Sequence, residues 1–428
     1  NSDTRSSRSC RTYTRETIEN MSETYELLDQ IAREYGDSFY LLDSKQFDRN
    51  YLDMLFSFQE YYIDTCIAYS YKTNYTPKFC QIVKNNGGYA EIVSEMEGWL
   101  AEKIGVEPTN IYYNGPYKKK SYIEKCMLMG VHINLDSDYE LDIVSEVAER
   151  NKNKKFEVGV RCNIDIGQEE PSRFGFDIHS GELFQAVSKI NKLPNVKVTG
   201  LHCHLPFRSL DSFKKRLQVL EEILSRMASN NWSYISLGGG FMGKVSEQFS
   251  KEFSFKPPSY KEYAEVVAGT MNQIYKNKLC KPKLIIEPGS ALVADTMKYV
   301  TRVIDIKQVR KKYIATLSGS IYNINSSTKG IKRPIKIYKR GYSSKRYYDS
   351  LDMAGYTCIE SDYLYRNYQG ELSKGDFVVF YNIGSYSLVM KPPFIMTDVP
   401  MLEIVDGTIN LLKKKQSEKS IFNDFYWK

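Results

Sequence analysis

Residues 67–77 read I-A-Y-S-Y-K-T-N-Y-T-P. An apolar, aromatic-rich run that stops at Thr73-Asn74 predicts a buried strand with Lys72 at its exit. Lysine is seldom buried without a partner, so this position has two readings. One is an ordinary solvated lysine at a strand end. The other is an amine desolvated at a barrel mouth, with a lowered pKa and able to form a Schiff base with an aldehyde cofactor. Stretches further along the chain favour the second.

Around this strand, helix and strand signals alternate. Residues 1–20 are polar and expected to be loosely held; 21–35 have helical spacing, and a short strand over 39–42 and a helix over 46–59 are predicted. Beyond Lys72 the pattern predicts a helix over 91–104 stopped by Gly105, then a strand over 110–114. It continues with helix 121–129, strand 131–135, helix 138–149 and strand 156–163. Segments 183–190, 196–202, 212–228, 234–237, 260–275 and 283–287 complete it. Such alternation means right-handed βαβ units and a parallel sheet. Some eight units over about 250 residues are the size of a (β/α)8 barrel. After about residue 305 helices become rare, and strands over 312–317, 335–339, 375–382 and 387–390 predict a C-terminal antiparallel β-domain. The expected division is an N-terminal extension and strand (1–44), the barrel (45–305) and the β-domain (306–428).

Composition narrows the classes. A hydrophobic fraction of 42% in 428 residues is enough for a sizeable core in two or three domains. No stretch approaches the ~20 apolar residues of a membrane span, and the polar start is no signal peptide. A cytoplasmic protein without membrane contact is expected. The net charge of +7 balances 59 basic against 52 acidic residues. Its basic clusters are short and read as solvated surface rather than a nucleic-acid patch. Eight cysteines without a C-x-x-C pair suggest neither a metal site nor a disulfide framework.

Working residues of such a barrel sit at the C-terminal ends of its strands. Three predicted ends carry unusual residues: His202-Cys203-His204, L-G-G-G-F at 237–241 and I-I-E-P-G at 285–289. Singly, His204 reads as a satisfied core histidine and the glycines as a tight turn. Together they form a site. Consecutive glycines let backbone N–H groups approach a phosphate. Glu287, ending an apolar strand, is costly unless paired, and a pyridinium nitrogen is such a partner. An imidazole stacks on a flat ring. Lysine, phosphate cradle, acid and ring are what pyridoxal phosphate needs.

Several motifs occur in one order: Y-S-Y-K-T-N at 69–74, I-Y-Y-N-G-P-Y-K-K at 111–119, S-R-F-G-F at 172–176, G-L-H-C-H-L at 200–205, G-G-G-F at 238–241 and E-P-G at 287–289. G-Y-T-C-I-E-S-D at 355–362 and G-D-F-V-V-F-Y-N-I-G-S-Y at 375–386 follow. This series resembles the fold type III (alanine-racemase-fold) pyridoxal-phosphate decarboxylases, the family of diaminopimelate, ornithine and arginine decarboxylases, and is nearer its diaminopimelate branch. The resemblance implies a (β/α)8 barrel with a C-terminal β-domain to which the N-terminal strand is added. It makes Lys72 the Schiff-base lysine, places His204 over the cofactor ring and Glu287 at its nitrogen, and assigns Gly238, Gly239, Gly240, Gly289 and Tyr386 to the phosphate side. It also implies a homodimer with shared active sites, in which Cys358 of the partner is the proton donor. Arg333 and Tyr338 resemble an R-P-x-x-Y stretch that meets a substrate carboxylate, with one residue more between them. Glu360 is displaced by one from an acidic substrate-binding position.

The chain also departs from that pattern. Phe207 stands where the family has a phosphate-holding serine, and Ser290 where it has an arginine at the same phosphate. Arg208 is the candidate to compensate. Ile359 cannot pair an ammonium, which argues against a plain diamine precursor such as ornithine. The expected function is decarboxylation of an amino acid: meso-diaminopimelate, or a specialised siderophore or antibiotic precursor. The alternative is a catalytically inactive relative acting as a regulatory binding protein, against which the joint retention of Lys72, Glu287, His204 and Cys358 argues.

Overall fold

The structure, a computed structural model, describes residues 24–324, 331–341, 346–391 and 393–427. The polar stretch 1–20 and the start of the helix expected from residue 21 lie outside them. Thr24 begins α1 (Tyr25–Tyr35) by accepting the Leu27 N–H at 3.2 Å. β1 (Ser38–Leu42) follows, and Asp43 caps α2 (Ser44–Gln59) through the Gln46 N–H at 2.8 Å.

The barrel then builds in order: β2 (Thr65–Ser70), α3 (Pro77–Asn85), β3 (Tyr89–Ile92), α4 (Glu95–Ile104), β4 (Ile111–Tyr113), α5 (Lys120–Met129), β5 (His132–Leu135), α6 (Asp138–Arg150) and β6 (Phe156–Asn163). After the two-residue β7 (Phe176–Asp177) come α7 (Glu182–Asn191), β8 (Val196–His202), α8 (Leu210–Arg226), β9 (Tyr234–Ser236), the short α9 (Glu247–Ser250), α10 (Tyr260–Ile274) and β10 (Lys283–Ile286). Strands β2, β3, β4, β5, β6, β8, β9 and β10 are parallel neighbours. The β10–β2 and β5–β6 pairings close the ring. The predicted helix over 91–104 divides here. Tyr89–Ile92 are a strand, and Ser94 caps the helix proper by accepting the Glu97 N–H at 3.2 Å.

The second sheet contains β11 (Met297–Val309), β12 (Lys312–Leu317), β13 (Ile335–Tyr338), β14 (Tyr347–Ala354), β15 (Tyr363–Glu371), β16 (Phe377–Phe380), β17 (Met401–Val405) and β18 (Thr408–Lys413). Most of its pairings are antiparallel; β1–β17 and β12–β14 are parallel. β1 lies between β11 and β17, so the N-terminal strand joins this sheet as expected. The sheet already begins at Met297, ahead of the sequence change near residue 305. The predicted strand over 387–390 is instead a series of turns, entered at Tyr386 with φ 60°. Among the described residues no helix is long and apolar enough to cross a membrane.

Candidate active site

A cavity of about 330 Å³ opens at the C-terminal ends of the barrel strands. Lys72 enters it from the helical turn that follows β2, and its Nζ pairs with Glu91 Oε2 on β3. Glu91 is buried, whereas Lys72 is half-exposed towards the cavity. Burial alone would lower the lysine pKa. The Glu91 carboxylate, with Glu287 further off, raises it above the ordinary value. The lowered pKa expected from a desolvated amine is therefore corrected: Glu91 holds Lys72 as an ammonium.

Glu287, just beyond β10, is buried, lines the cavity and accepts three side-chain hydrogen bonds. Its Oε1 accepts from Ser236 Oγ at 2.7 Å; its Oε2 accepts from His202 Nε2 at 3.1 Å and Asn114 Nδ2 at 3.2 Å. Burial pushes its pKa up, but His202, Ser236 and the Lys72 charge outweigh this and hold it well below the usual carboxylate range. Asn114 also donates to Glu91 Oε1 at 3.0 Å. Lys72, Glu91, Asn114, Glu287 and His202 thus form one continuous polar chain across the barrel mouth.

The glycine turn after β9 is sterically required. Gly238 and Gly240 have φ of +63° and +88°, a region that non-glycine residues rarely adopt. A Cβ on Gly238 would lie 2.5 Å from His204 Cβ, and one on Gly239 2.6 Å from Glu287 O. The Gly239 N–H donates to His204 Nδ1 at 3.0 Å, which leaves Nε2 to carry the proton of a neutral ring. Burial and neighbouring cations lower the His204 pKa far below its ordinary value, so the ring stays neutral. Gly289 packs against Thr73, where a Cβ would sit 2.0 Å from the hydroxyl.

Two buried cations brace this mouth. Lys118 Nζ donates to the carbonyls of Gly115 (2.7 Å) and Asn134 (3.0 Å) and to Glu140 (2.9 Å), with both side chains fully buried. It fixes the Gly115-Pro116 turn that walls the cavity. Lys118→Met leaves the buried Glu140 without a counter-charge, with the Asp136 N–H as a remaining donor, which should cost about 3–5 kcal/mol in urea unfolding. Adding Glu140→Leu should recover most of that loss. Arg216, on α8, donates to Phe207 O and, at 3.4 Å, to Gly239 O, tying the loop after β8 to the glycine turn.

The donor set suits pyridoxal phosphate. An amine, an ionised buried carboxylate, a neutral imidazole and a glycine turn with no room for a Cβ all face one cavity. Residues 49–294 match the family described as pyridoxal-dependent decarboxylase, pyridoxal binding domain. The chain belongs to that family. Its cofactor is pyridoxal phosphate, and its class is that of a carboxy-lyase. The diaminopimelate decarboxylase of Aquifex aeolicus is 24% identical over 421 residues, covering 91% of this chain and 92% of that one. A crystal structure of diaminopimelate decarboxylase from M. jannaschii has a TM-score of 0.82 at 22% identity, over 93% of this chain and 94% of that one. The same enzyme in co-complex with L-lysine gives 0.81.

The β-domain of this decarboxylase contributes unevenly to the cavity. Tyr386 lines it, and its N–H donates to Thr73 O at 2.9 Å beside Lys72. Arg333 does not line it; it lines an adjoining cavity that shares Arg208, Ser290 and Tyr386. Tyr338 reaches neither, being buried with Leu27, Phe39 and Phe377 beneath α1. Strand alternation explains the separation. Ile335 and Ile337 pack against the main core and Tyr338 faces the other side, while Arg333 lies two residues ahead of the strand. Tyr338, on the face turned from the main core, is therefore parted from Arg333 and lines neither cavity, against the sequence expectation. Cys358 and Glu360 are exposed and do not line the Lys72 cavity within the chain. Phe207 turns its ring to solvent, 42% exposed. Glu91, Asn114, His202, Ser236 and Arg216 went unassigned in the sequence, although Asn114 and His202 lie inside quoted motifs.

Proposed function

We propose that this enzyme decarboxylates an amino acid, with Lys72 as its Schiff-base lysine and meso-diaminopimelate as the first substrate to test. One observation carries the reading: Lys72 and Glu287 face the same cavity, joined through Glu91 and Asn114. When bound, pyridoxal phosphate supplies an electron sink for the electron pair left on Cα as CO2 departs.

The side chains divide the remaining work. Lys72 holds the cofactor through Nζ, and Glu91 is the nearest acceptor for the proton that Nζ must give up first. Glu287, kept ionised by His202 and Ser236, holds a proton at the pyridine nitrogen. His204 presents a neutral ring to the cofactor face. Gly238, Gly239, Gly240, Gly289 and Tyr386 shape the phosphate end. Arg333 would need the adjoining cavity to meet a distal carboxylate. Cys358 and Glu360 would reach a Lys72 cavity only across a subunit interface, so the proton donor requires a homodimer with shared sites. A cytoplasmic location belongs to the same reading.

The diaminopimelate decarboxylases matched over nine-tenths of the chain support this substrate. Ser290 and Ile359 support the second candidate, a specialised precursor of siderophore or antibiotic type. Lysine formation and CO2 release should be measured with meso-diaminopimelate in the presence of pyridoxal phosphate. Turnover within the ordinary range of about 1–10³ s⁻¹ supports the first substrate. A trace rate there, with faster CO2 release from a modified diamino acid, selects the second.

A further inference from the structure

The reading above leaves the cofactor phosphate without a cation at position 290, which is serine. We infer that Arg208 supplies it, from the loop after β8. This rests on pyridoxal phosphate being the cofactor.

Arg208 lines the Lys72 cavity at the glycine end, together with Gly239, Gly240, Ser290 and Tyr386. The other arginines of the cavity have ring partners. Arg161 stacks on Phe174 at 4.6 Å, donates to His204 O at 3.3 Å and faces Asp136 at 3.8 Å. Arg173 stacks on the same ring at 4.2 Å. Arg208 is different. Among the described residues, its half-buried guanidinium donates through Nη1 to Met242 Sδ at 3.3 Å, a weak acceptor. A guanidinium carries five donors in a planar fork that matches the oxygens of an anion.

The backbone around it is fixed. Tyr263 donates to Arg208 O at 2.5 Å, Arg216 holds Phe207 O, and Ser209 caps α8 through the Ser212 N–H at 3.2 Å. Arg208 thus stands between restrained neighbours and lines the cavity together with the glycine turn and Ser290. A phosphate and a substrate carboxylate share the chemistry this fork recognises. The glycine turn favours the phosphate.

Titrating the full-length protein with pyridoxal phosphate, and separately with pyridoxal, followed by absorbance, tests this. Pyridoxal lacks the phosphate. Arg208→Met should weaken pyridoxal phosphate about 10- to 100-fold, the scale of a charged hydrogen bond, while pyridoxal binding stays unchanged. Arg208→Lys should restore part of the loss. Equal weakening of both ligands would overturn the assignment, as a general disturbance of the cavity. Unchanged affinity for both, with a raised KM, would overturn it in favour of a substrate carboxylate. A wild-type protein that binds neither ligand would instead defeat the cofactor reading itself.

Discussion

Lys72→Arg should fold like the wild-type chain and release CO2 about 10²- to 10⁴-fold more slowly, the scale attached to loss of a positioned catalytic group. The arginine keeps a cation beside the buried Glu91, so the pair that anchors β3 survives. It lacks an amine that can be deprotonated near neutral pH and link covalently. Lys72→Ala should lose activity as well and also lose stability. It removes the charged partner of a carboxylate that is only 1% exposed and keeps only the Asn114 donor, which should cost on the order of 1–3 kcal/mol. Steady-state CO2 release and thermal unfolding of both variants separate chemistry from structure. Equal activity in Lys72→Arg and wild type would remove Lys72 from the reaction.

Glu287→Gln is expected to cost about 10²- to 10³-fold in kcat, comparable to loss of one preorganised electrostatic contact. Glutamine preserves the shape and can still accept from Ser236 or His202, but it has no charge with which to hold a proton on a ring nitrogen. Glu287→Ala should be scarcely worse in kcat, because the charge lost in both variants is what holds the proton, although it also strands the Ser236, His202 and Asn114 donors. The sign of the pH dependence follows from the depressed carboxyl pKa. A group lowered on folding stabilises the native state above its unfolded pKa, and that contribution is lost as pH falls through the folded value. In wild type, Glu287 thus stays ionised below the ordinary carboxylate range, and the acid limb of the activity profile belongs to other groups. If Glu287→Gln keeps full kcat, the carboxylate is structural.

Much of this was legible in the sequence for one physical reason. Lys72, His204, the glycines and Glu287 each end an apolar strand, where a polar or turn residue stands out against its neighbours. Glu91 was not, because Ala90-Glu91-Ile92 offers too little alternation and the helical spacing after Ser94 runs back across it. Arg216 was hidden for the opposite reason. In F-K-K-R-L it reads as one more solvated cation, and only the approach of two loops buries it. Tyr338 was misplaced by a single residue, since one step along a strand exchanges its faces. The turns over 387–390 escaped notice because Tyr386 adopts a left-handed conformation that its residue type does not announce.

Reductive trapping tests the central claim most directly. The full-length protein is incubated with pyridoxal phosphate, reduced with borohydride, digested and mapped by mass spectrometry. The account predicts a phosphopyridoxyl group on the peptide containing Lys72, and its loss in Lys72→Arg. A label on another lysine of the chain, or one spread over surface lysines and unaffected by Lys72→Arg, would contradict it.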